Sequence, residues 1–335
     1  MKVLVTGSAG FIGSAVTLRL LARGDEVVGI DNLNDYYDVA LKEARLARHA
    51  DHPGYTHLTI DLADRAAMEA AFAEHRPRRV VHLAAQAGVR YAAVNPHAYA
   101  ASNLTGFLHI LEGCRHHAIE HLVFASTSSV YGANTRTPFS EHDGTAHPLT
   151  FYAATKKANE MMAHAYAHLY AIPSTGLRFF TVYGPWGRPD MAPMVFTRKI
   201  LAGEPIPVFN HGRHSRSFTY IDDVVEGVVH SLDRIPTGDP SWNGEQPDPA
   251  SSAAPYRIYN IGAEQPVELL HFIQLLEQNL GMRAQMEMLP LQAGDVPDTA
   301  ADVTDLVRDT GYRPHVDVET GVRELVKWYR DYHQL

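Results

Sequence analysis

At 335 residues, 45% of them hydrophobic and 20% charged, the chain has the make-up of one large or two modest globular domains, not of a disordered segment. Its 29 Lys+Arg against 38 Asp+Glu leave a net charge of −9, and with no basic block it is a poor match to nucleic acid or an anionic membrane surface. The single Cys114 excludes an intramolecular disulfide framework, no apolar run approaches the roughly 18 residues of a membrane span, and the first residues, MKVLVTG, enter a strand without a cleavable leader, so a cytoplasmic protein is expected.

Short apolar runs and helical spacings alternate through the first half. Residues 3–6, 27–30, 57–60, 80–83 and 122–125 read as five buried strands. Residues 11–23, with Ile12, Val16, Leu20 and Leu21 on one side and Gly24 as a stop, read as a helix, and residues 103–114 and 152–170 as longer ones. A sixth strand is expected at 175–180, loops at 184–193 and 235–255, a returning strand at 257–261, and helices at 267–280 and 320–331. This rhythm predicts an α/β fold: a doubly wound parallel sheet with a smaller C-terminal α/β lobe.

GSAGFIG, residues 7–13, lies between the first strand and the first helix. Gly7 permits a tight turn, Gly10 lets backbone approach a pyrophosphate, and Gly13 lets the helix pack closely on the sheet. The next strand ends in Asp31, whose carboxylate would accept hydrogen bonds from the adenosine ribose hydroxyls and repel a 2′-phosphate. NAD is therefore expected in preference to NADP. Asp61 and Leu62, after the third strand, stand where an adenine could be held.

Tyr152 and Lys156 are four apart on a helix and so share a face. A phenol titrates near 10, and a neighbouring ammonium together with a positive nicotinamide ring would lower that value and make Tyr152 a base. Lys156 can also bond the nicotinamide ribose. Twenty histidines include His164 and His168 at i, i+4, but no HExxH pattern or third ligand accompanies them, and no metal is expected.

The GxxGxxG spacing resembles that of the extended short-chain dehydrogenase/reductase family. Its nucleotide-sugar epimerase branch is resembled further in DNLNDYYD (31–38), HLAAQAGVRY (82–91), LRFFTVYGPWGRPDMA (177–192) and PDPASSAAPYRIYNIG (247–262). The resemblance implies 4-epimerisation of UDP-glucuronate to UDP-galacturonate through a 4-keto sugar, with tightly held NAD. It implies a catalytic set of Thr127, Tyr152 and Lys156, and a cofactor site that adds Phe11, Ile12, Asn32, Leu83, Ala84, Ala85, Asn103 and Phe179. For the UDP-sugar it implies Arg90, Val208, Phe209, Arg216 and Asp295, with Thr127, Ser128, Ser129, Thr181 and Arg188 around a carboxylate. It assigns residues 1–180, rejoined by 217–262, to a dinucleotide domain and 181–216 with 263–335 to the UDP-sugar lobe. A homodimer through a four-helix interface, built on the helices at 103–114 and 152–170, is implied as well.

Two departures from related sequences stand out: Ser217 follows Arg216 where Asp is usual, and Gln292 replaces a second phosphate arginine of UDP-galactose epimerases. Dehydratases carry an Asp-Glu pair directly after the catalytic Thr and decarboxylases a Glu two residues after it, whereas this chain has Ser128 and Ser129. UDP-glucose 4-epimerase, UDP-glucuronate decarboxylase and a non-catalytic nucleotide sensor remain as alternatives.

Overall fold

The protein is described by a computed structural model covering residues 1–292 and 296–335. Strands β1 (Lys2–Thr6), β2 (Glu26–Ile30), β3 (Tyr55–Leu58), β4 (Arg79–His82), β5 (His121–Thr127) and β6 (Ser174–Phe179) join the returning strand Tyr256–Ile261 in one parallel sheet. Its order is Tyr256–Ile261, β6, β5, β4, β1, β2, β3. The order reverses between β1 and β4, and a crevice opens there beyond the carboxyl ends of the strands. β5 is buried along its whole length, as expected of a strand covered on both faces.

The expected α/β class and sheet are present, with shifts of one or two residues at most strand ends. Among the described residues, the helices α2 (Val39–Ala47), α3 (Arg65–His75), Ala192–Leu201, Ile221–Asp233 and Thr304–Thr310 went unassigned in the sequence. The expected helix at 103–114 begins earlier, as a π-helical turn Ala100–Thr105 that runs into the α-helix Gly106–His116. The segment at 235–255 has no regular element but is tied down: Asp239 N–H donates to Ser252 O at 2.8 Å, and His142 bonds Asp248 at 2.8 Å.

Outside the main sheet, short strands pair among the helices Leu269–Leu280 and Val318–His333, including Thr181–Tyr183 with Phe218–Tyr220. Ser215–Arg216 lies between Val267–Glu268 and Asp298–Thr299. One continuous core joins β1 and α1 (Phe11–Ala22) to Phe272 and Leu325 of the C-terminal helices, so the lobe is packed onto the sheet and not hung from it. Among the described residues no helix is long and apolar enough to cross a membrane.

Candidate active site

A cavity of about 870 Å³ runs along the crevice, at the large end of the roughly 300–1,000 Å³ usual for ligand pockets. At one end lies the glycine loop. Gly7 has φ +73°, and a Cβ there would stand 2.8 Å from Ala84 N; a Cβ on Gly13 would stand 1.9 Å from Gly7 O. Both positions are closed to any side chain. Gly10 caps α1 with no side-chain hydrogen bond, and no acidic residue occupies the helix's first turn. Free N–H groups and an uncancelled helix dipole therefore face the cleft, which is what a diphosphate needs.

Asp31 is fixed from behind: its carboxylate accepts from Ala9 N at 3.1 Å and Leu33 N at 2.9 Å. Asn32 Nδ2 donates to Asp61 at 3.0 Å, so the ends of β2 and β3 form one polar rim, with Leu62 beside it on the cavity wall. Phe11, Ile12, Leu83, Ala84, Ala85 and Phe179 line the same wall. Thr6 holds the turn after β4, accepting from Ala84 N at 3.2 Å and pairing with His82 Nδ1 at 2.8 Å. The donors, acceptors and clearances fit a dinucleotide lying across β1, β2 and β4.

Asn103 departs from its expected role. It is 1% exposed and does not reach the cavity. Its amide accepts from Gln86 N at 2.9 Å and donates to Gln86 O at 3.1 Å and Thr155 Oγ1 at 3.0 Å. It ties the turn after β4 to the helix Phe151–Tyr170, so it shapes the site from behind.

That helix starts at Thr150, whose hydroxyl accepts from Ala153 N at 3.2 Å, and it carries Tyr152 and Lys156 on the cavity side. Thr127 ends β5, its hydroxyl accepting from Ser129 N at 3.2 Å and meeting the Tyr152 phenol. The protein's own groups do not by themselves lower the phenol's pKa. Burial raises it above its ordinary value, and the charge of Arg188 and the Thr127 hydrogen bond offset this only in part. The Arg188 charge lowers it. Burial brings the Lys156 ammonium down to about 8, opposed by the charge of Glu160.

Beneath Lys156, Glu160 pairs with Arg178 of β6 through two bonds of 2.9 and 3.0 Å, and accepts from Ser126 Oγ at 2.7 Å. Sequence reasoning missed this pair, although Glu160 stands one further turn along the Tyr152–Lys156 face.

Ser128, Ser129, Thr181 and Arg188 line the cavity together with Tyr152. Arg188 donates to Asp190 at 3.1 and 2.6 Å, and the Tyr36 hydroxyl reaches Asp190 at 3.2 Å. The Arg90 guanidinium lies over the Phe209 ring at 5.3 Å, both at the cavity wall. Arg216 also faces the cavity and donates to Pro297 O at 2.5 Å and Val296 O at 2.7 Å. Val208 is corrected: it is fully buried in the core and touches no cavity surface. Asp295 lies outside the described residues.

A Rossmann-type sheet with a glycine loop, an acidic rim and a Thr–Tyr–Lys set defines a nucleotide-dependent enzyme of the dehydrogenase/epimerase class. Residues 3–262 match the sequence profile of the NAD dependent epimerase/dehydratase family, and the chain belongs to that family. It is 49% identical over 331 residues to a protein of Rhizobium meliloti (strain 1021) described as a "Probable UDP-glucuronate 4-epimerase", covering 98% of this chain and 97% of that one. Among solved structures it resembles the UDP-glucuronic acid 4-epimerase of Bacillus cereus in complex with UDP-glucuronic acid and NAD, with a TM-score of 0.88, 30% identity, and 99% and 100% of the two chains covered. The UDP-glucose 4-epimerase of Thermotoga maritima, solved with UDP-glucose, matches with a TM-score of 0.86, 30% identity, and 99% and 100% covered.

Proposed function

We propose that this protein is an NAD-dependent UDP-glucuronate 4-epimerase. NAD held at the glycine loop Gly7–Gly13 and the Asp31 rim would supply a hydride acceptor for C4 of the sugar and the donor that returns the hydride. The Tyr152 phenolate takes the proton of the 4-hydroxyl, and Thr127, which meets the phenol, shares or relays it. Lys156 stands one turn below Tyr152 and serves the nicotinamide ribose. Residues 1–180 with 217–262 hold the dinucleotide; residues 181–216 and 263–335 hold the UDP-sugar, with Arg90, Phe209 and Arg216 on its UDP side. Two copies pair through the helices Gly106–His116 and Phe151–Tyr170 into a four-helix interface. Leu108, Met161 and Leu169 of those helices are exposed apolar residues that such an interface would cover.

The observation that carries the choice of UDP-glucuronate is that the hydroxyl residues Thr127, Ser128, Ser129 and Thr181 line the same cavity as Tyr152, with no carboxylate at positions 128 and 129 directly after Thr127. The 4-keto sugar derived from UDP-glucuronate is a β-keto acid that loses CO₂ readily when its carboxylate is desolvated or stands perpendicular to the carbonyl plane. Neutral hydroxyls hold the carboxylate in an unproductive orientation without stabilising a departing carbanion, and Arg188 adds a charge from further away. Losing one such hydrogen bond costs about 1.5–3 kcal/mol. Thr181→Ala is therefore expected to raise KM for UDP-glucuronate and to increase the share of UDP-pentose among the products, read by NMR. Unchanged KM and product ratio would contradict the clamp.

A further inference from the structure

Two arginines are among the largest fully buried side chains, and they are treated differently. Arg178 has the bidentate carboxylate of Glu160. Arg45, on α2, is 0% exposed and has no carboxylate within ion-pair distance among the described residues. Its guanidinium donates to Trp186 O at 3.0 and 2.7 Å, Gly187 O at 3.1 Å, Ala9 O at 3.2 Å and the Tyr37 hydroxyl at 2.6 Å. The polar hydrogens are satisfied; the charge is not. Burying a cation without a counter-ion is costly.

The charges that act on Arg45 leave it short of an anion. Burial lowers its pKa most and the Tyr37 hydroxyl opposes this; Arg188 repels it, Asp31 attracts it more weakly than Arg188 repels it, and Arg45 in turn acts unfavourably on Lys42 and Arg48 of the same stretch. Asp31 is itself turned to the backbone of Ala9 and Leu33. The carbonyl that Arg45 holds, Ala9 O, belongs to the glycine loop, between Gly7 and Gly10 on the cavity wall. The other carbonyls belong to the loop that carries Arg188 and Asp190.

We propose that the diphosphate of the bound dinucleotide is the missing counter-charge of Arg45, and that Arg45 thereby couples occupancy of the glycine loop to the order of the 186–190 loop at the sugar end. Arg45 is a positioning residue, since it reaches the ligand only through the field across the Ala9 peptide. The proposal rests on placing NAD at the glycine loop and adds to it a residue outside the cavity wall. Nothing in the sequence marks it: in VALKEARLA, Arg45 reads as a solvated helix charge, yet it lies on the buried face with Leu41 and Lys42.

The test is displacement of labelled NAD from the full-length chain by ADP and by adenosine. In the wild type ADP should compete at far lower concentration than adenosine. In Arg45→Met that preference should fall about tenfold or more, with competition by adenosine unchanged. Arg45→Lys, which keeps the charge and loses the fork, should retain most of the preference. Equal weakening of ADP and adenosine in Arg45→Met, or Lys behaving like Met, would make Arg45 a packing residue and overturn the proposal. If Arg45→Met does not fold, amide exchange in the wild type decides: ADP should protect residues 184–190 more than adenosine does, and equal protection overturns the coupling. A wild type that carries no NAD as purified and takes up no labelled NAD would instead defeat the placement of the cofactor itself, a result separable from the others.

Discussion

At Tyr152 and Lys156 burial acts in opposite senses on neighbouring groups and favours the neutral form of each. It raises the phenol, and it brings the ammonium to about 8. A phenolate base in this cleft therefore depends on positive charge arriving near the ring, and the charge already in place is that of Arg188. If Tyr152 is the base, Tyr152→Phe should bind NAD normally and lose about 10²–10⁴-fold in turnover, checked by NAD titration alongside kcat. A near-normal kcat would remove Tyr152 from the chemistry. Glycines, the acidic strand end and the Tyr–Lys spacing were legible in the sequence because each answers to a local rule of spacing. Asn103, Val208 and Arg45 were not, because their roles depend on which way a side chain turns after distant segments have packed: Asn103 toward Gln86 and Thr155, Val208 into the core, Arg45 under the glycine loop.

The helix Phe151–Tyr170 holds Tyr152 and Lys156 at the cavity through contacts on its inner face. Glu160 is its anchor, joined to β6 through Arg178 and to β5 through Ser126. Burial alone would raise the Glu160 pKa, but the Arg178 charge and hydrogen bonds, with Lys157 and Ser126, outweigh it and take it to about 2. A depressed carboxyl adds stability that is complete above its unfolded value of about 4.3 and is lost as pH falls through 2. Chemical denaturation of the wild type should show stability falling over that window. Glu160→Gln should flatten that part of the profile and, by leaving Arg178 unpaired, cost about 3–5 kcal/mol at neutral pH. An unaltered acid limb in the variant would contradict this. At this scale the sheet strands were legible from apolar runs, whereas α2 and α3 were not: their buried faces are narrow and interrupted by Lys42, Arg45 and alanines.

Across the whole molecule, one core runs from β1 through α1 to the C-terminal helices, and Trp186 of the 184–190 loop packs on Trp328 at 5.2 Å and Tyr332 at 5.2 Å. Sheet, sugar-end loop and C-terminal helix are thus a single packed body around the cleft, which is why the lobe's small strands could not be read from local sequence: each pairs with a segment distant in the chain. The outer face of the helix Phe151–Tyr170 leaves Met161 and Leu169 exposed at 65% and 66%, with Ala165 between them on the same stripe. If this stripe pairs two copies, Met161→Glu should lower the sedimentation mass toward that of a single chain while far-UV circular dichroism stays unchanged. A wild type that already sediments as a single chain would rule the interface out.

The central claim, that this cleft epimerises UDP-glucuronate at C4, is tested most directly by incubating the purified chain with NAD and either UDP-glucuronate or UDP-glucose, side by side, and following the products by proton NMR. UDP-glucuronate should be converted to UDP-galacturonate with little UDP-pentose, and UDP-glucose should turn over more slowly. Preferential turnover of UDP-glucose, or UDP-pentose as the main product from UDP-glucuronate, would contradict it.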